Sequence, residues 1–185
     1  MYKIICLMIV SGLMMALLLP SPAKAEEIII SEIQTTVIES SELFEQCALI
    51  LNFEIPSELD SAMITFAELA ATMSFELPEG MPMTLGSVPI STSQEMDWQS
   101  FDYVKENLGN LFDLTKLSTA SLGETSGVTA FFDITDTFQS WAQEPAAFDG
   151  LLIIPLDSSS IFSGLNEQDQ MLEIRISYST LDVEQ

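Results

Sequence analysis

Apolar and polar residues alternate over several short stretches of this chain of 185 residues. Between 172 and 178, for example, Leu, Ile, Ile and Tyr alternate with Glu, Arg and Ser. Successive side chains of a strand point to opposite faces of a sheet, so this period of two predicts a strand with one buried face. The same pattern covers 47–55, 63–77 and 128–134. The stretch 151–154 is apolar throughout, which predicts a strand in the middle of a packed sheet.

Two other stretches have helical spacing, and the opening run 28–38 is strand-like without a clear register. In 93–112, large apolar residues recur every three or four positions, and Gly109 is expected to end this helix early. In 135–143, Phe138 and Trp141 share one face. Either Thr135 or Asp136 can cap this helix, and Pro145 ends it. Short strands with two brief helices predict a mainly β fold, an antiparallel β-sandwich.

The first 25 residues have the order of a secretory signal peptide. Lys3 precedes an uncharged apolar stretch at 4–19, and two prolines separate that stretch from the small-residue site Ala23-Lys24-Ala25. The apolar stretch is nearly long enough to span a bilayer, but the prolines and the cleavage site disfavour a membrane anchor. We therefore predict a cleaved signal peptide at 1–25 and a β-sandwich domain at 26–185. The mature protein is expected to be secreted, periplasmic or at the cell surface, without membrane insertion.

The mature chain is strongly acidic. Cleavage after Ala25 leaves three basic residues against 28 acidic ones, a net charge of −25. Coulomb repulsion then disfavours nucleic acid, anionic membranes and acidic polysaccharides as partners. Cys47 is the single cysteine after cleavage, so the mature chain contains no internal disulfide. Its place in an alternating apolar run favours a buried, unreactive thiol over a reactive one or an intermolecular link.

Three segments together resemble a known family. The first is an apolar strand that ends in a Phe-x-Ile-Pro corner, the second joins a Phe-Asp-Ile-Thr strand to a short helix and a Gly-Leu-Leu strand, and the third is a closing strand. They lie at Ala48–Ala71, Val128–Pro155 and Leu172–Tyr178, and their signature residues are Asp133, Trp141 and Gly150-Leu151-Leu152. This order resembles the DNRLRE-type (disaggregatase-related) jelly-roll domains of secreted microbial proteins. It is also similar to the β-sandwich of the transforming-growth-factor-β propeptide.

The resemblance implies a single jelly-roll-like antiparallel β-sandwich with one or two short helices. It covers about half of the mature chain and rests mostly on hydrophobic spacing. The Asn-Tyr-Gly motif expected near the start of DNRLRE domains does not occur before Cys47. Some relatives in that family bind polysaccharides, including acidic alginate. The net charge of −25 disfavours an acidic glycan as the ligand of this chain.

The chain contains no histidine, which excludes the Ser-His-Asp and Cys-His nucleophile systems and every metal site built on histidine. The mature chain also lacks Gly-x-Ser-x-Gly, Ser-x-x-Lys and Cys-x-x-Cys motifs and a glycine-rich phosphate loop. Paired carboxylates can hydrolyse a glycosidic bond, but among 28 acids a suitably spaced pair arises by chance. We therefore predict a protein that is not an enzyme.

Two sets of residues are candidates for binding. Calcium takes oxygen ligands, and four aspartates flank strand ends: Asp133, Asp136, Asp149 and Asp157. No calcium-binding loop motif accompanies them, so solvated surface acids are the alternative, and we expect no obligatory cofactor. Trp98 and Tyr103 occupy a polar–aromatic segment that suits a sugar platform, although helical spacing also suits packing against the sheet. Trp141 is predicted to lie in the core.

These observations favour an exported, non-catalytic binding or structural module of an extracellular or cell-surface assembly. The partner would be an extracellular protein. The alternative is a carbohydrate-binding module for a neutral polysaccharide, since the charge disfavours an acidic one.

Overall fold

The computed structural model describes residues 25–39, 47–73, 83–90, 101–122, 128–156 and 171–180. In these residues the chain forms nine strands, which are β1 (Ala25–Ile30), β2 (Gln34–Glu39), β3 (Cys47–Asn52), β4 (Met63–Met73), β5 (Met83–Pro89), β6 (Ser118–Leu122), β7 (Val128–Asp133), β8 (Leu151–Pro155) and β9 (Met171–Ser179). The helices are α1 (Phe101–Glu106), α2 (Leu108–Leu111) and α3 (Thr135–Gln143), with short 3-10 turns at Ser57–Leu59, Leu114–Lys116 and Pro145–Ala147.

The strands form two antiparallel sheets, and this confirms the predicted β-sandwich. A four-stranded sheet has the order β1-β9-β4-β7, and a five-stranded sheet has the order β2-β3-β8-β5-β6. Their inner faces share one apolar core, to which Leu49 and Ile153 contribute from the larger sheet and Leu69, Phe132 and Ile176 from the smaller. Burial of each such side chain stabilises the fold by about 1.5–3 kcal/mol.

The five-stranded sheet is buried on both faces. Ala48 and Ile50 of β3 and Leu152 of β8 point away from the other sheet, yet they are as buried as their inward neighbours. They pack in a second apolar cluster with Val104 of α1 and Leu111 of α2. The two short helices therefore cover the outer face of this sheet, and the all-apolar sequence of β8 reflects its position between two cores.

Helix α3 covers an edge that the strands leave open. Strand β7 pairs with β4 only from Glu68 onwards, and the first part of β4 has no strand on that side among the described residues. There, the side chain of Gln139 accepts a hydrogen bond from Ile64 N at 2.9 Å, and that of Thr135 accepts one from Ala67 N at 2.9 Å. Side chains of one helix thus satisfy backbone donors that a neighbouring strand would otherwise bond.

Several predictions about elements need correction. The run 28–38 is two strands in different sheets, separated at 31–33, rather than one. The interruption between α1 and α2 falls at Asn107, not at Gly109, and the Asn107 side chain donates to Tyr103 O.

Helix α3 has the predicted bounds, but neither of its first two residues caps it. Asp133 instead accepts from the backbone N–H of Thr135. Strand β3 ends at Asn52, before the predicted 55, and strands β5 and β6 were not predicted.

Some predictions lie outside the described residues. These are the signal segment before Ala25, the part of the first predicted helix before Phe101, and the stretch 74–77 of the second predicted strand. The backbone of Cys47 begins β3, but its side chain also lies outside the described part, so the prediction of a buried thiol stays a prediction. Within the described ranges, no helix has both the length and the apolar character needed to cross a membrane.

Candidate binding cleft

A cleft of about 1030 Å³ opens at one corner of the sandwich. It lies between three segments that are distant in sequence: 29–34, 52–56, and the turn from Pro145 to Phe148. The first segment is where the chain leaves β1 and crosses to the other sheet to begin β2. The second follows the end of β3, and Asn52 lies opposite Gln34 in the β2–β3 ladder. The crossing between sheets therefore creates the cleft.

Gly150 allows the third segment to approach the end of β3. Its φ of 109° lies in a region that side chains rarely adopt. A Cβ atom at this position would lie 2.8 Å from Leu51 O and 2.9 Å from Asn52 Oδ1. The carbonyl of Gly150 also accepts a hydrogen bond from Ile90 N. Glycine is thus required here both by the backbone conformation and by the space available.

Four aromatic rings lie beneath the cleft. Phe148 contacts Phe53 and Trp141 with ring centroids 4.8 Å apart in both cases, and Phe138 lies 5.2 Å from Trp141. Trp141 and Phe138 are buried, as predicted, whereas Phe148 is only half-buried and lines the cleft together with Phe53. Edge-to-face packing of this kind is favourable beyond the burial of area. The cleft therefore has an apolar, aromatic floor.

The polar side chains around the cleft are neutral or acidic. Gln34 and Asn52 contribute amides, and Glu32 and Glu54 contribute exposed carboxylates. No lysine or arginine is among the described residues that line it. The arrangement suits a ligand with apolar and hydrogen-bonding groups that is neutral or cationic, and it disfavours an anionic ligand by Coulomb repulsion.

The two aromatic residues proposed as a sugar platform are not part of this cleft. Tyr103 lies on α1, over the outer face of the five-stranded sheet, and 40 % of its surface is exposed. Trp98 lies outside the described residues, so a sugar platform shared with Tyr103 stays a prediction.

The aspartates proposed for calcium are only partly brought together. Asp133 and Asp136 line a second, smaller pocket of about 210 Å³. Asp133 Oδ1 is already occupied there, because it accepts from Thr135 N at 3.0 Å and from Thr135 Oγ1 at 2.7 Å. Asp149 is exposed elsewhere, beside Gly150, and Asp157 lies outside the described residues. In the described part of the chain, no three His, Cys, Asp or Glu side chains converge to hold a metal ion.

The basic side chain of Lys116 also lines the smaller pocket. Lys116 donates a hydrogen bond of 2.7 Å to Ser140 Oγ, and its Nζ lies 3.8 Å from Asp113. The hydroxyl of Thr115 bonds to Asp113 and, with smaller contributions from its backbone N–H and from Lys116, lowers the pKa of that carboxyl. These contacts join the 3-10 turn before β6 to α3. We assign the pocket this structural role.

Sequence patterns did not predict the cleft. Its lining residues belong to three separate segments, and hydropathy does not show that the segments meet. The crossing at 31–33 also has no strong turn signal, because Ser31 is its one turn-favouring residue and it contains no glycine or proline.

A comparison with protein-family models finds no match for this chain, and a comparison with curated proteins finds none either.

Proposed function

We propose that the protein is an exported, non-catalytic binding module of an extracellular or cell-surface assembly, and that its ligand occupies the corner cleft. The observation that carries the proposal is the cleft itself. It combines an aromatic floor with a few polar side chains, which is the usual composition of a ligand-binding pocket. The chain has no histidine to act as a base near neutral pH.

The place of action is part of the same proposal. The order of the first 25 residues supports export and cleavage after Ala25. Without an internal disulfide, the mature domain would depend on its two apolar clusters for stability. Its charge of −25 would keep it soluble and would repel anionic surfaces.

We also infer a jelly-roll topology. The chain changes sheet at every connection except β2–β3 and β5–β6. Such alternation between two antiparallel sheets is typical of double-sheet jelly rolls, which have eight strands. On this interpretation β2 is an additional edge strand. The similarity to DNRLRE-type domains supports the same topology.

A neutral polysaccharide is the second candidate ligand. The amides of Gln34 and Asn52 can bond sugar hydroxyls, and the half-buried ring of Phe148 lines the same cleft. Stacking on a ring and bonding to amides is the chemistry that a neutral sugar requires.

Binding assays with cleft variants test both candidates. The purified protein is assayed against neutral polysaccharides (cellulose, xylan and mannan), an acidic one (alginate), and a cationic peptide. Gln34→Ala removes an amide from the cleft, and Glu32→Lys together with Glu54→Lys reverses its charge. Glu106→Lys on α1 is a single charge reversal on another surface, and it is the control for each of the two cleft substitutions.

A bound ligand should lose at least about tenfold in affinity in the cleft variants and less than about twofold in the control. Loss on Gln34→Ala with a neutral polysaccharide would favour the glycan, whereas loss of the cationic peptide on charge reversal would favour a protein partner. Preferred binding of alginate, cleavage of any polysaccharide, or equal binding by cleft and control variants would contradict the proposal.

A further inference from the structure

Strand β1 lies at one edge of the four-stranded sheet. Among the described residues it pairs only with β9. Natural edge strands avoid unwanted pairing through charged side chains, lysine above all, or through proline, a bulge or a covering element. The charges of β1 are those of two glutamates, which repel an acidic strand and attract a basic one. The sequence AEEIII of β1 contains no lysine or proline, and its ladder with β9 is regular. By contrast, side chains of α3 cover the open edge of β4 in the same sheet.

The hydrogen bonds of β4 show in which direction the backbone N–H and C=O groups of each strand in this sheet point. Ala67 donates its N–H to Thr135 and accepts from Ile134 N, so both of its backbone groups point away from β9. In an antiparallel ladder these directions alternate from residue to residue. Glu68 therefore directs its backbone groups to β9, where it pairs with Arg175.

The same alternation continues across β9. Because Arg175 bonds to β4, its neighbour Ile176 bonds to β1, where it pairs with Ile28. Ile29 and Glu27 then turn their N–H and C=O groups away from β9, toward the open edge. Within the described part of the chain, nothing bonds to this short row of backbone donors and acceptors on Glu27 and Ile29.

The open edge continues into the cleft. Ile29 belongs to the row of outward backbone groups and also lines the cleft. Its side chain is 52 % exposed. An extended segment that bonds to β1 would therefore continue along the crossing at 31–33 and past Glu54.

We propose that β1 accepts an extended, basic segment of a partner protein as an added strand, and that the cleft binds the continuation of this segment. The inference rests on the proposed function, because it names the kind of partner that the cleft serves. Backbone bonds to Glu27 and Ile29 hold the strand, and side-chain contacts in the cleft select it.

Charge identifies the partner segment as basic. Arg175 bonds to Glu173 at 2.9 Å and lies 3.4 Å from Glu27, so the one described cation of this face is already paired. Glu32 and Glu54 in the cleft have no basic side chain beside them in the described lining. A second copy of this chain is disfavoured, since two mature chains of charge −25 repel each other.

A proline variant separates strand addition from charge attraction. Ile29→Pro removes one outward N–H and leaves the β1–β9 bonds intact, because edge positions whose N–H faces outward tolerate proline. Ile29→Val keeps the N–H and is the matched control. The probes are a labelled peptide of alternating valine and lysine, the same peptide with all its backbone amides N-methylated, and an alternating valine–glutamate peptide. Affinity is measured by fluorescence anisotropy.

The valine–lysine peptide should bind the wild-type protein, and Ile29→Pro should weaken it at least about tenfold, whereas Ile29→Val should change it less than about twofold. The N-methylated and valine–glutamate peptides should not bind. Equal binding by Ile29→Pro, or equal binding of the N-methylated peptide, would refute strand addition and leave cleft binding standing.

Amide hydrogen exchange provides a readout that does not depend on a variant. In the free wild-type protein the Ile29 amide should exchange faster than that of Ile28, and the peptide should slow it. An Ile29 amide that is already protected in the free protein, or that the bound peptide leaves unprotected, would overturn the inference. Failure of every peptide to bind, with neutral polysaccharide binding still sensitive to Gln34→Ala, would refute the inference but not the proposed function.

Discussion

The hydroxyl of Tyr178 donates a hydrogen bond of 2.9 Å to Glu26 Oε2 at the start of β1. This bond, then burial, then the negative charges of Glu26 and Glu58, raise the pKa of Tyr178 above its ordinary value of 10.0. A pKa raised in the folded state stabilises the fold fully below the unfolded value. That contribution is lost as the pH rises through the higher folded value.

We therefore expect the free energy of unfolding to fall above about pH 10 in the wild-type protein. Tyr178→Phe lacks the hydroxyl that bonds to Glu26, so this variant should be less stable than wild type near neutral pH. Because phenylalanine has no group that titrates at this position, the difference in stability should shrink as the pH rises. Urea unfolding at a series of pH values measures the effect. A difference that stays constant across the range would show that the hydroxyl contributes no pH dependence.

Trp141 is the residue whose loss should affect the core most directly. It is buried and contacts Phe138 and Phe148. Trp141→Ala should lower the free energy of unfolding by about 3–5 kcal/mol, because it removes a large buried aromatic side chain. Phe131→Ala, on the exposed outer face of β7, should change it by about 0.5 kcal/mol or less. An unchanged unfolding midpoint together with lost cleft binding would instead make Trp141 a ligand-binding residue.

At the scale of elements, strands with a clean period of two were predictable. Strands whose alternation is broken by contacts with neighbouring elements were not. Strand β9 and helix α3 could be predicted because each buries one face against a single core. Strand β5 contains Gly86 and the buried Ser87, which break the alternation.

Contacts that arise only in the fold explain this interruption. A Cβ on Gly86 would lie 2.9 Å from Leu117 and 3.1 Å from Leu156. Strand β6 is half polar because it is an edge strand. The cleft was not predictable for a related reason, since it is assembled by the crossing at 31–33 from segments far apart in sequence.

The bonds between α3 and β4 can be tested by one pair of variants. Gln139 accepts from Ile64 N and donates to Ala62 O at 3.3 Å, so Gln139→Ala leaves two backbone groups without these partners. We expect it to lower the free energy of unfolding by about 1–3 kcal/mol. Gln143→Ala removes the same side chain from the exposed end of the same helix and should have little effect. Equal losses in urea unfolding would mean that the edge bonds add no stability.

At the scale of the whole molecule, the charge dominates. The full chain carries a net charge of −23, which becomes −25 on the proposed cleavage after Ala25, and this charge creates strong internal repulsion that mobile cations screen. We expect sodium chloride and calcium chloride at matched ionic strength to raise the melting temperature by similar amounts. The prediction follows from the described aspartates, which do not converge on one point. A larger shift at sub-millimolar calcium that is lost in Asp149→Asn or Asp157→Asn would establish a specific calcium site.

The position of β9 has a consequence for the time course of folding. This strand lies between β1 and β4, so neither of these two earlier strands pairs with its main partner until residues 171–179 have been synthesised. Pairing over such long sequence separations is slow, and the unpaired intermediate exposes apolar strand faces. Of all the strands, β1 with its three isoleucines therefore remains unpaired for the longest time, until β9 has been synthesised. During that interval the many carboxylates of the chain keep nascent copies apart.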